Sequence, residues 1–345
     1  MSKTDPGLEM VSRLAALLQI DDKWSVRSKR GFTWWSYRLA QHIEAGRPKL
    51  INGQSVSLVH VYTELLQQVP DSGPAIALAG LANGRATLNA VVFDPTKKTL
   101  SECCTALVHE GNLGWMDRLL GFAAILQNTA AHSRAHAAAE ATKATIAQST
   151  HPVSGERPAI DEILGVAQAA AATGQSQPSA FAGGLISVLP AFAKSFGFLG
   201  FGDASGFSCE VPFSADPAVP LSSAAGGDGT SLVQFFTEQP HPDYGTGALC
   251  ILKVPVPFVR ASAASNAANR LNLAESKGKS ITSLFGAWTA TGSVSPFGVA
   301  FSCFVPNDLA QPGVLENVLL MFAARSRFAS ARLAPKGTTR TPPVP

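Results

Sequence analysis

Charge is scarce in this sequence. Of its 345 residues only 15% are Asp, Glu, Lys or Arg, and the net charge is +3. A balance so near zero makes no demand for an anionic partner. Low charge combined with 46% hydrophobic residues excludes an intrinsically disordered chain. Cysteine is sparse and unmotivated by metal chemistry: the five residues Cys103, Cys104, Cys209, Cys250 and Cys303 form no Cys-x-x-Cys pair. An odd number without such spacing predicts free, reduced, buried thiols and a cytoplasmic location. Catalytic signatures are missing too. There is no Gly-x-Ser-x-Gly elbow and no phosphate-binding Gly-x-x-x-x-Gly-Lys-Ser/Thr. His109-Glu110 lacks the second His of a zinc protease, and the run Gly200-Phe201-Gly202-Asp203-Ala204-Ser205-Gly206 places its last glycine one position late for a dinucleotide loop. A hairpin turn accounts for those glycines. No uninterrupted membrane-length run exists: residues 182–202 come nearest, but Pro190, Lys194 and several glycines break them. No secretory pattern opens the chain. No membrane span, cofactor or metal site is expected.

An octapeptide that occurs twice stands out against these absences. Ser57-Leu58-Val59-His60-Val61-Tyr62-Thr63-Glu64 and Ser231-Leu232-Val233-Gln234-Phe235-Phe236-Thr237-Glu238 share five of eight residues. A repeat separated by about half the chain suggests two similar domains. Hydrophobic periodicity supports the same division. Each half reads as helix, three strands, helix, two strands, helix. In the first half the strands fall at 24–26, 32–43 and 55–69, then 91–93 and 100–109, with Asn52-Gly53 as a hairpin turn. The second half repeats the order, and Leu271-Asn272 at the end of its middle helix matches Leu88-Asn89. The expected architecture is α+β: two domains, each a mostly antiparallel sheet backed by helices. Residues 1–148 form the first and 161–335 the second. The Ser-, Pro- and Gly-rich segment 149–160 reads as a linker, and 336–345 as a tail.

This element order resembles the fold of type III secretion chaperones, and of the bacterial YbjN-like proteins that carry two such domains in tandem. The residues that support it are the Leu-Asn pair, the hairpin after it, and Trp115-Met116 at the start of the first half's last helix. Val314-Leu315 replaces that Trp in the second half. The resemblance implies a chaperone-like or adaptor-like binding protein with no catalytic residues, which takes a protein segment or forms a homodimer.

Candidate site residues follow from local chemistry. Trp24, Trp34 and Trp35 sit among Lys23, Arg27, Lys29, Arg30 and Arg38 in the stretch 23–38. Trp and Arg together favour a protein interface. They also suit base stacking with phosphate contacts, so a nucleic-acid module is an alternative reading. On a continuous strand, Phe32, Trp34, Ser36 and Arg38 share one face, and Thr33, Trp35, Tyr37 and Leu39 the other. The second face is the more apolar, which predicts Trp35 in the core and Trp34 with Arg38, Arg27 and Arg30 on a partner-binding surface. His60, Tyr62 and Glu64 share a strand face, but Gln234 replaces His60 in the second octapeptide. Thr63, Glu64, Thr237 and Glu238 are therefore read as structural and equivalent between halves. His132 and His136, spaced one helical turn apart, lack an acidic partner and read as a solvated helix face. An enzyme with a site assembled from dispersed residues is the remaining alternative.

Overall fold

The computed structural model describes residues 5–165, 181–203, 205–216, 229–279 and 283–333. The first helix, α1 (Pro6–Leu17), starts where Asp5 accepts hydrogen bonds from the Gly7 and Leu8 amides, with Pro6 preset for the first helical turn. Strands β1 (Ser25–Arg27), β2 (Gly31–Trp35) and β3 (Ala40–Ala45) follow as a meander. A short strand β4 (Lys49–Ile51) then turns into the long β5 (Gln54–Gln67). Asn52 and Gly53 form that turn, both at positive φ, as a two-residue hairpin requires. Helix α2 (Ser72–Asn83), the hairpin β6 (Ala90–Asp94) and β7 (Thr99–Val108), the 30-residue α3 (Leu113–Thr142) and the two-residue strand β8 (Thr145–Ile146) complete the half.

The second half has the short helix α4 (Leu189–Ser195) and four strands: β9 (Gly200–Asp203), β10 (Gly206–Pro212), β11 (Thr230–His241) and β12 (Gly245–Phe258). Helix α5 (Ala261–Ser276), strands β13 (Ala287–Thr291) and β14 (Phe297–Pro306), and helix α6 (Val314–Leu333) close it. The chain is thus α+β, with two antiparallel sheets. The first runs β1-β2-β3-β5-β7-β6, with β4 and β8 also pairing β5; the second runs β9-β10-β11-β12-β14-β13. Both therefore share one topology, a four-strand meander followed by a helix and a hairpin whose second strand inserts next to the meander.

That topology changes the expected count from three strands before the middle helix to four. In the first half the predicted strand 32–43 is two strands, because the chain reverses at 36–39: Trp35 pairs with Ala40. It also separates the two octapeptides. The first lies in β5, whose counterpart by position in the sheet is β12; the second lies in β11, the counterpart of β3. Thr63 and Glu64 are therefore not equivalent to Thr237 and Glu238. Glu64 sits opposite Ser101 in the ladder, whereas Glu238 lies at positive φ in a bulge between Phe236 and Gln239. The Leu-Asn correspondence shifts likewise. Asn272 binds the Trp288 backbone through both ends of its amide, and Asn83 does the same to Val91. Asn83, not Asn89, is its counterpart; Gly84 ends α2 before Leu88 is reached.

The halves are packed into each other. Ala90, Val92 and Cys103 of the first sheet lie in a core with Leu271, Trp288 and Phe301. Tyr244, Phe285 and Phe304 lie in the core built around α1, α3 and β5. Thr105 and Leu284 exchange hydrogen bonds, and Lys277 pairs with Asp94 at 2.7 Å. The segment 149–160 is docked against the first half. Ser149 receives the Trp35 indole N–H at 2.9 Å, His151 packs edge-on to Trp35, and Arg157 donates to the Trp35 carbonyl. All five cysteines are free and buried. Among the described residues no helix is long and apolar enough to cross a membrane.

Candidate partner-binding groove

The residues singled out by the sequence do not assemble into one surface. Trp34 has no exposed area and belongs to the core with Met10, Leu14 and Val61. Its face is the one covered by helices, because Ser36 is not a surface residue of the same strand: it is fully buried in the turn and donates to Asn128 of α3 at 2.6 Å. Trp35 faces the other way and is also buried, under the docked segment 149–160. A strand covered on both faces buries both its tryptophans, so the predicted surface role for Trp34 is overturned.

The arginines part company as well. Arg30 ties the hairpin to the start of α1, donating to Asp5, Ala45 and Gly46. Arg27 lies over the Phe32 ring, near the same end of β2. Arg38 lies beyond the opposite end, paired with Glu156 at 2.7 Å and stacked on Tyr37. Thr63 is buried and donates to Gln127 of α3; Thr237 donates to the Ser205 carbonyl. Each threonine is structural, but in a different setting.

His60, Tyr62 and Glu64 do share a face of β5. They line a polar cavity of about 270 Å³ with Glu44, Lys97, Ser101 and Lys277. His42 stacks on Tyr62 and His60 packs against it at a tilt, each with ring centroids 4.7 Å away. Burial, with Lys97 and His42 nearby, holds the His60 imidazole down to about 4. Burial also pushes the Tyr62 phenol up to about 12, helped by Glu44 and Glu64. Neither group is poised to exchange protons near neutral pH, where a general acid or base works best. Among the described residues no three His, Cys, Asp or Glu side chains are grouped to hold a metal. His109 lies elsewhere, capping the turn before α3. His132 is fixed by bonds to the Asn128 carbonyl and the Leu39 amide rather than solvated; His136 is exposed.

The depressed His60 has a consequence for stability. The unfolded imidazole takes up a proton near 6.5, whereas the folded one refuses it until about pH 4. The unfolded state therefore binds more protons across that window, and stability falls as the pH drops through it. The loss attributable to His60 is about 3 kcal/mol on reaching the lower end. Urea denaturation of wild type and His60→Gln between about pH 7 and pH 4 should show a shallower fall in the variant. Parallel curves would remove His60 from the acid response.

A larger concavity lies where the two halves meet. It occupies about 920 Å³ between α2, the second half of α3 and strand β13. Its floor and walls are Leu65, Leu78, Leu81, Val91, Ala137, Ala138 and Ala290. Leu81 is 78% exposed on the rim. The charged side chains that line it are Arg85 and Arg134. Arg134 reaches into a smaller adjoining cavity to pair with buried Glu102 at 2.8 Å; Arg85 lies 3.6 Å from Asp243. Burial pushes the Glu102 carboxyl up, opposed by Arg134. No single stretch of sequence foretells this groove. Its walls come from both halves, and Ala- and Gly-rich α2 has almost no amphipathic stripe to mark an exposed side. No protein-family model, curated protein or solved structure matches the chain.

Proposed function

We propose that the protein is a non-catalytic, chaperone-like or adaptor-like binding protein that holds a protein segment in the groove between α2, α3 and β13. The observation that carries this reading is the groove itself: an apolar, open trough of about 920 Å³ with Leu81 exposed on its rim and two arginines at one end. Its dimensions and mixed lining suit a few side chains of an extended segment. The acid–base groups of the His60 cavity are tuned away from neutrality, which favours binding over catalysis. Buried, unpaired cysteines support a reducing, cytoplasmic setting.

Leu81→Asp tests this reading. The side chain is mostly exposed, so the substitution should change stability by no more than about 0.5 kcal/mol. Linear peptides selected on the wild-type protein from a displayed library should bind the variant at least about tenfold more weakly, a difference of about 1.4 kcal/mol. Equal binding by Leu81→Asp, or failure of any apolar peptide to be retained, would remove the groove as the binding site.

A further inference from the structure

Each sheet ends in a strand whose outer backbone groups face α2 and α5, and amide side chains cover most of them. On β6, Val91 donates its N–H to Asn83 Oδ1 at 2.7 Å and accepts from Asn83 Nδ2 at 2.9 Å. Two residues on, Phe93 makes the same reciprocal pair with Asn269, which reaches across from α5 of the other half, both bonds at 3.0 Å. On β13, Trp288 is covered in the same way by Asn272, at 2.8 and 2.9 Å. Outward-facing residues alternate along a strand, so the next on β13 is Ala290.

Ala290 has no such cover. Asn269 precedes Asn272 in α5 by three positions, and the residue that precedes Asn83 in α2 by three positions is Gly80. The two halves place Gly80 where Asn269 stands, and glycine has no amide to offer. The space for one is there: a Cβ added at Gly80 meets no atom within 4 Å. The Trp288 N–H and C=O face away from β14, so by the same alternation those of Ala290 do too. Among the described residues no turn, loop or side-chain bond reaches that N–H, and the carbonyl has the Thr289 hydroxyl at 3.5 Å, at the limit of hydrogen bonding. Ala290 and Gly80 are both half-buried and both line the groove. Thr289 binds the Gly80 carbonyl at 3.3 Å, which keeps α2 close beside β13. That closeness favours a side-chain amide over insertion of a whole strand, whose backbone would need about 4.8 Å from its neighbour and room for its own side chains.

We propose that Ala290 is a receptor for one carboxamide, the Asn or Gln side chain of an apolar partner segment whose carboxylate lies towards Arg85 and Arg134. The recognition chemistry is the one the protein already uses three times within itself: one N–H and one C=O of an extended residue, met by both ends of a single amide. A polar pair at the base of an apolar trough gives a bound segment its register, since a segment without the amide leaves both groups short of a partner once water is displaced. The arginines fix its direction. This rests on the reading of the groove as a segment-binding site.

The full-length, isotope-labelled protein can be titrated with acetyl-Leu-Gln-Leu-Glu and with the same peptide carrying Met for Gln, following backbone amide resonances. The Gln peptide should shift the Ala290 amide and bind at least about tenfold more tightly than the Met peptide, about 1.4 kcal/mol. Gly80→Asn should supply the missing amide internally: Ala290 hydrogen exchange slows towards that of Phe93, and the advantage of Gln over Met disappears. Gly80→Ala, folded and without an amide, should keep the advantage. If both peptides shift groove resonances equally and Ala290 stays unmoved, the carboxamide proposal fails while the segment-binding reading stands. If neither peptide moves any groove resonance, both fail. Protection of Ala290 that grows with protein concentration and without peptide would overturn the proposal in favour of a second copy of the chain.

Discussion

Trp34→Ala is expected to cost about 3–5 kcal/mol, the range for truncating a fully buried aromatic. Its ring is sealed between α1, α3 and β5 in the first core, with no exposed area. Little can collapse into the space, because Gln41, Gln127 and Thr63 beneath the same helix are held in a hydrogen-bonded set that includes the Glu102 carbonyl. Trp35→Ala should cost less. Its cover is the segment 149–160, which can settle onto the smaller residue at the loss of the Ser149 bond and the His151 contact. Urea denaturation of the two variants decides the order. If Trp35→Ala proves the more damaging, the face of β2 under the segment 149–160 contributes more to stability than the face under α1 and α3, and that segment cannot settle onto the smaller residue.

The sequence carried the element types and their order well, and the faces poorly. Periodicity found α3 and β5 because both are long and regular. It joined β2 to β3 because Ser36, Tyr37, Arg38 and Leu39 contain neither Gly nor Pro, and the turn is made by tertiary bonds instead. The Asp161 amide binds the Ser36 carbonyl and the Ser149 amide binds the Arg38 carbonyl. Such long-range partners leave no local signature. The two octapeptides mislead for a related reason. Alternating apolar residues suit any strand with one face in a core, so the same pattern serves β5 and β11 at different places in the sheet. The true internal correspondence is carried by asparagines whose meaning is visible only once the edge strands are in place. The groove was illegible because it belongs to neither half alone, and Ala290 stands out only against three covered counterparts.

Arg325→Met is expected to be as damaging as loss of Trp34, about 3–5 kcal/mol, because it strands a carboxylate in the interior. Glu275 at the end of α5 and Arg325 in α6 are 0% and 1% exposed and meet through three bonds of 2.9 to 3.1 Å. The Trp288 indole donates to the same carboxylate at 2.6 Å, and Arg325 donates onward to the Ser283 carbonyl at 2.5 Å. The guanidinium also lies 3.7 Å from the centroid of Phe301. Glu275, Trp288 and Arg325 thus bind α5, β13 and α6 into one unit, and β13 is the strand that presents Ala290 to the groove. Replacing both charges, with Glu275→Leu added to Arg325→Met, removes the buried ions together. The double variant should therefore be less destabilised than Arg325→Met alone. It still takes the partner from the Trp288 indole N–H and from the Ser283 carbonyl, at about 1–3 kcal/mol each. A double-mutant cycle by urea denaturation measures the coupling directly. Costs that simply add would mean that the ion pair contributes nothing as a pair, and that packing alone positions β13.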